Sequence, residues 1–415
     1  MNKVELLAPA GSLEKLKVAI DFGADAVYVG GPRLNLRVFA DNFDFEELKE
    51  GVEYAHARNA KVYLVLNAIP RNFDMKGLPE YVKKCESIGV DGVIAADPGV
   101  IAIVRQNTNL EIHLSTQANV MNYETAKFWY DYGLRRIILA RELKLKEVQE
   151  FRKNLPDDCE IEVFVHGAMC MAYSGRCLIS NYMTSRDSNK GACSQACRYK
   201  YYLVEETRPN EYYPVFEDED GTFIMNSKDL CMIEHIDDVI KSGVSSLKIE
   251  GRMKSMFYVA MVVKMYREAI DSYYEDPENF KVNPEWKRNL EKISHRRYST
   301  GFFYGNNGEQ SYESSTYVRE YEIIGIVKSY DKENKIATIE QRNRVFDGDV
   351  VEIIRPKSQI FEVKLTNLKN DKGQSIEKAN HAQMIFTDEV NKELRENDFI
   401  IMKKNEINFN RVTFS

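Results

Sequence analysis

The chain has 415 residues, of which 44% are apolar and 29% charged, with a net charge of −7. That length suits one large domain with a smaller one, and the composition is ordinary for a soluble globular protein. No apolar run approaches the roughly 18 residues that cross a bilayer. The acidic balance excludes a generally basic protein that coats nucleic acid, so any nucleic acid would be held by local patches.

The opening MNKVELLAPAG runs straight into an apolar strand, with no long apolar signal core and no cleavage site, and a cytoplasmic location is the simplest expectation. One pattern then recurs, in which a helix ends on glycine and a strand begins a few residues later. It reads FGADAVYVGG from Phe22, IGVDGVIAAD from Ile88, YGLRRIILAR from Tyr132 and SGVSSLKIEG from Ser242. Gly23, Gly89, Gly133 and Gly243 suit the left-handed position that ends a helix, and the apolar run after each suits a strand covered on both faces. Further runs begin at Val4, Lys61, Glu111 and Ile161. Eight strands, mostly separated by helical patterns, predict an α/β fold: a parallel (β/α)8 TIM-like barrel closed near residue 250, with a doubly wound open sheet as the rival.

Active sites of such barrels lie at the carboxyl ends of the strands. Those ends carry Asn67, Asp97, Gln117, Arg141, His166 and Glu250. Period-2 alternation puts Glu162, Phe164 and His166 on one face, His113, Ser115 and Gln117 on another, and Lys248 beside Glu250 on a third. Taken singly, each polar strand end could merely meet water; together they predict a polar pocket.

The connection after strand seven, about residues 168–245, is far longer than an ordinary βα loop. Its first third holds Cys170, Cys177, Cys193 and Cys197, spaced C-x6-C-x15-C-x3-C, four of the seven cysteines in the chain. Four thiolates can complete the shell of a zinc ion or an iron–sulfur cluster. Two disulfides, or four unrelated buried thiols, are the other readings. Disulfides need an oxidising compartment. Zinc favours tight C-x2-4-C pairs, and only the last two cysteines come close, so the irregular gaps favour a cluster. Cys231 is a possible substitute for Cys197, whereas Cys85 and Cys159 look structural. A metal held here would sit over the barrel mouth.

Arg186, Lys190, Arg198 and Lys200 surround the second cysteine pair with Tyr199, Tyr201 and Tyr202 interleaved, and Arg296 and Arg297 lie in a second group, HRRY from His295. Arginine and tyrosine together can contact phosphates and stack on unpaired bases, although a solvated, salt-bridged surface is the default for either run alone. Helices are expected over about 253–275 and 284–294. The glycine- and serine-rich stretch from Gly301 reads as a linker over 301–319, which divides a barrel domain at 1–300 from a small all-β barrel of about six strands at 320–415. There is no HExxH helix and no G-x-S-x-G elbow.

The segment EVFVHGAMCMAYSGRCLIS, with ELLAPAG, GADAVYVGG, HLSTQAN, NSKDL, SLKIEGRMKS and HRRYSTGF, resembles the collagenase-like peptidase family, numbered thirty-two among peptidases of unknown catalytic type. The likeness covers most of the chain and is greatest to the branch that hydroxylates tRNA, forming 5-hydroxyuridine at the wobble position in a process dependent on prephenate and iron–sulfur biogenesis. The resemblance implies a [4Fe–4S] cluster on Cys170, Cys177, Cys193 and Cys197, able to deliver electrons or act as a Lewis acid. It also implies a chorismate-derived hydroxyl donor, prephenate, bound nearby. We place the donor's carboxylates on Arg141, Lys248 and Arg252, with Asn67, Asp97 and Gln117 lining the pocket and His166, Glu250 and Lys248 serving catalysis. The family's older label, a peptidase acting on collagen-like chains, is the alternative reading, as is hydroxylation of another RNA. A homologous partner chain sharing the work is left open.

Overall fold

The computed structural model describes residues 3–36, 42–170, 172–198, 202–205, 208–214, 228–305 and 319–404. The chain forms two compact units, Met1–Lys287 with His295–Tyr317, and Arg288–Ser294 with Val318–Ser415.

The first unit is built on eight parallel strands: β1 (Glu5–Ala10), β2 (Ala26–Gly30), β3 (Lys61–Leu66), β4 (Gly92–Ala95), β5 (Glu111–Leu114), β6 (Arg136–Ile138), β7 (Glu160–Ala168) and β8 (Ser246–Ile249). β8 pairs in parallel with both β7 and β1, which closes the sheet into a barrel. Helices α1 (Leu13–Asp21), α2 (Phe45–His56), α3 (Leu78–Ile88), α4 (Pro98–Asn107), α5 (Tyr123–Asp131) and α6 (Leu145–Asn154) alternate with the strands. The glycine signal has its expected cause: Gly23, Gly89, Gly133 and Gly243 each follow a helix with φ between +86° and +109°, where a side chain would be strained.

The long connection between β7 and β8 begins with a cysteine-bearing lobe containing α7 (Ile179–Thr184) and ends with α8 (Ile236–Lys241). Between them, the strand Asp229–Cys231 runs antiparallel to the end of β7, and Tyr298–Ser299 pairs with its outer edge. Helix α9 (Met256–Glu275) starts at a Ser255 cap and buries thirteen of its twenty residues. It is therefore a core helix. The next helix in the chain, α10, spans Pro284–Leu290.

The second unit carries a seven-stranded antiparallel sheet curled into a half barrel over a core that includes Ile324, Ile339, Val351 and Phe386. Its longest strand, Tyr321–Asp331, is irregular against both neighbours, at Val327/Ser329 and at Ile323/Gly325, and such bulges bend a sheet. The outermost strands, Phe361–Lys364 and Lys369–Asn370, do not pair with each other among the described residues. Among the described residues, no helix is long and apolar enough to cross a membrane.

Candidate active site

A buried charge network fills the lower barrel. Arg136 on β6 reaches across the lumen, with Nη1 2.5 Å from Glu5 Oε1 on β1 and 3.3 Å from Glu162 Oε2 on β7. The other Glu162 oxygen lies 2.7 Å from Lys248 Nζ on β8. Ser246 and Tyr63 donate to Glu5 at 3.0 and 2.8 Å. Burial alone would push the Glu162 carboxyl up, but the neighbouring Lys248, Arg136 and His113 outweigh it and hold it below the ordinary value. Burial pushes the Lys248 ammonium down, against the pull of Glu162.

Above this network lies a small cavity of about 70 Å3 at the strand ends, lined by Asn67, Ser115, Gln117, Arg141, Lys248, Glu250 and Arg252 among others. Arg252 is buried and donates from Nη2 to Asn35 Oδ1 at 3.2 Å, while Asn35 is itself anchored on the Gly31 carbonyl at 2.7 Å. Its guanidinium crosses so close to Gly30 that a Cβ there would meet Nη1 at 2.0 Å. Asn67 donates to Ser115 Oγ at 3.2 Å, and its buried Oδ1 has no partner among the described residues.

A larger cavity of about 560 Å3 sits over the first, and Leu36, Gln117, Arg141 and Glu250 line both. Cys170, Cys177, Cys193 and Cys197 all line the larger one. None of the seven cysteines is in a disulfide. Among the described residues, no three His, Cys, Asp or Glu side chains are drawn together as ligands of one ion. The lobe is internally tied: the Cys177 carbonyl accepts from Ser188 Oγ and Asn189 Nδ2 at 3.1 and 2.9 Å, and the Gln195 amide lies 3.4 Å from Cys193 Sγ. It is also tied to the barrel. Arg141 Nη1 donates to the Ala168 carbonyl at 2.8 Å, and Ser174 donates to Glu142. Gly175 lies so close to the Gln117 carbonyl that a Cβ would meet it at 2.1 Å.

Several expected residues occupy other places. His166 lines neither cavity. Alternation along β7 stops at a bulge, because Phe164 is in register with Lys248 but His166 with Ile249. The imidazole packs instead among Tyr258, Tyr266 and Tyr298, with ring centroids 5.4–5.8 Å away, and burial pushes its pKa down to about 3. It is a neutral core histidine. Asp97 caps α4, its Oδ1 accepting from the amides of Gly99 and Val100 at 2.9 and 3.0 Å. Cys231 lies apart from the four-cysteine cavity, paired through its backbone with His166, and burial pushes its thiol up to about 12. Burial raises the thiols of Cys85 and Cys159 to about 11. Lys248 does line the barrel mouth, but Glu162 already matches its charge.

The basic residues also sort themselves. Arg186 donates to the carbonyls of Ala192 and Cys193 at 3.0 and 3.4 Å, and so shapes the cysteine lobe. Lys190 pairs with Asp74 at 3.0 Å. Arg296 is buried, with its amide on Asp229, so it is no surface contact, whereas Arg297 is exposed. Lys200 and the side chain of Arg198 lie outside the described residues. Sequence reasoning missed Asn35, Glu142 and Ser174. The adjacency of Glu142 to the strand-end Arg141 was the one available signal.

The signature of Peptidase family U32 spans residues 11–313, and that of the Peptidase family U32 C-terminal domain spans residues 319–400. The chain belongs to peptidase family U32. This U32 chain is 44% identical over 396 residues to "tRNA hydroxylation protein P1" of Bacillus subtilis, with 95% of this chain and 93% of that one covered. It is 39% identical to "tRNA hydroxylation protein P" of Escherichia coli, with 91% of each covered. A "Collagenase" of Porphyromonas gingivalis is 31% identical, with 93% of this chain and 94% of that one covered.

Proposed function

We propose that this chain is a cytoplasmic RNA-modifying enzyme that hydroxylates tRNA, forming 5-hydroxyuridine at the wobble position. A [4Fe–4S] cluster would be held by Cys170, Cys177, Cys193 and Cys197, with prephenate as the hydroxyl donor. Tight similarity to relatives named for tRNA hydroxylation, along nearly the whole chain, supports the coarser reading. The observation that carries the finer one is the shared wall of the two cavities: a group on the four thiols would face whatever the barrel mouth binds. Four thiols spread around one cavity suit a multi-atom group better than a lone zinc ion, whose sulfur ligands sit about 2.3 Å from it. The donor set is soft and all-thiol, as iron–sulfur ligation requires. When bound, the cluster supplies electron transfer or Lewis acidity.

The chain's own residues divide the remaining work. Arg252, held by Asn35, and Arg141 present planar cations suited to carboxylates. Asn67 Oδ1 offers an acceptor to a hydroxyl donor. Glu250, on the wall common to both cavities, would exchange a proton. Lys248 takes part through its pairing with Glu162. The peptidase reading gains nothing here, because the strand-end histidine that a nucleophilic cysteine would need is buried outside both cavities.

The test is mass spectrometry of nucleosides from bulk tRNA, with and without the gene. Loss of 5-hydroxyuridine, restored by the wild-type chain but not by Cys170→Ala, is the expected result. An unchanged profile overturns the wobble-uridine reading. Anaerobic purification should yield iron and acid-labile sulfide in about equal amounts; stoichiometric zinc without sulfide would sink the cluster.

A further inference from the structure

Three exposed rings lie on the cysteine lobe and on the loop tied to it. Tyr182 is 93% exposed, Phe73 79% and Tyr173 60%, and Tyr173 also lines the cavity. Phe73 lies in the loop after β3, which is joined to the cysteine lobe by the Ile69 amide on the Asn189 carbonyl at 3.0 Å and by Asp74 on Lys190 at 3.0 Å. Phe73 therefore sits on a loop fastened to the cysteine lobe on either side of it, at Ile69 and Asp74. Large apolar groups left in water at one place mark an interaction surface.

Charge says which partner. Residues 67–77 and 168–197 together hold five lysines and arginines, including the exposed Arg71, Lys76 and Arg176, against two acidic residues, in a chain whose net charge is −7. Both acids are engaged locally, Asp74 by Lys190 and Asp187 by the Asn189 amide at 2.9 Å. A positive surface studded with solvent-facing aromatic rings fits a polyanion whose flat bases are available for stacking. A duplex keeps its bases in its own stack and offers the rings nothing.

We propose that Phe73, Tyr173 and Tyr182 form a stacking platform for the unpaired bases of an RNA loop, drawn in by the positive surface. The platform rests on the tRNA reading above and adds where the RNA docks. It adds three aromatic residues to the basic residues picked out in the sequence.

The experiment is fluorescence anisotropy of the full chain with a labelled hairpin RNA carrying a uridine-containing loop, and with a fully paired duplex, at one fixed salt concentration. Tyr182→Ala and Phe73→Ala should each weaken hairpin binding about ten-fold, the order of one lost base stack. Tyr182→Phe should retain wild-type binding, and duplex binding should be nearly unmoved. Because these rings are exposed, thermal midpoints should match wild type. Alanine variants that bind the hairpin like wild type overturn the platform, as does equal loss on hairpin and duplex, or a wild-type chain that binds no hairpin. The nucleoside profile of cells is read separately, so the tRNA reading can stand when the platform falls.

Discussion

Ser174 donates its backbone amide to the Glu142 carboxylate at 2.9 Å and its hydroxyl at 3.2–3.3 Å. Ser174 lies between Cys170 and Cys177, and Glu142 follows β6, so one carboxylate fastens the first cysteine pair to the barrel. Hydrogen bonds to a charged group contribute about 1.5–3 kcal/mol each. Glu142→Ala should leave the barrel folded but lower iron and sulfide per chain several-fold after anaerobic purification, with Glu142→Gln intermediate. Full metal content in the alanine variant would refute this role.

Gly175 has φ +75° and lies against the Gln117 carbonyl. Gly175→Ala combines left-handed strain, about 1–3 kcal/mol, with a clash against backbone that cannot step aside. The lobe should lift from the barrel mouth. Limited proteolysis should then cut within residues 168–198 faster than in wild type, while the global melting temperature shifts less. Equal protection of the lobe in both proteins would contradict the close packing.

Glu162 and Lys248 are both buried, and their charges depend on each other. Removing one partner strands the other, at a cost of about 3–5 kcal/mol. Urea titration should show that scale of loss for Glu162→Leu and a substantial recovery in Glu162→Leu/Lys248→Met. Additive losses would mean that the two side chains act independently.

His166 gives a pH prediction with a definite sign. Its pKa is near 3 when folded and 6.5 unperturbed, so between those values the unfolded chain binds the extra proton. The stability this residue contributes is full above pH 6.5 and is lost as pH falls toward 3, with a slope of about 1.4 kcal/mol per pH unit. His166→Gln should flatten the stability profile by about that slope between pH 6 and 4. An unchanged slope would place a charged imidazole in the core.

The sequence by itself determined the barrel and the clustering of four cysteines in the connection after its seventh strand. Helix-ending glycines and doubly covered apolar runs are local signals, legible because backbone sterics and burial periodicity act within a few residues. The four clustered cysteines, and Asn67, Gln117, Arg141 and Glu250 at strand ends, were legible for the same reason, and all open onto the two cavities. Tertiary structure alone decided which other polar residues reach the site. A single bulge turned His166 away from the lumen, an amide pair recruited Asp97 as a cap, and Lys248 met Glu162 across neighbouring strands. Arg136 reached Glu5 over 131 positions of chain, and Glu142 found Ser174 in a different segment. Such pairings are set by distances between segments that come together only when the barrel closes, and no pattern within either segment encodes them.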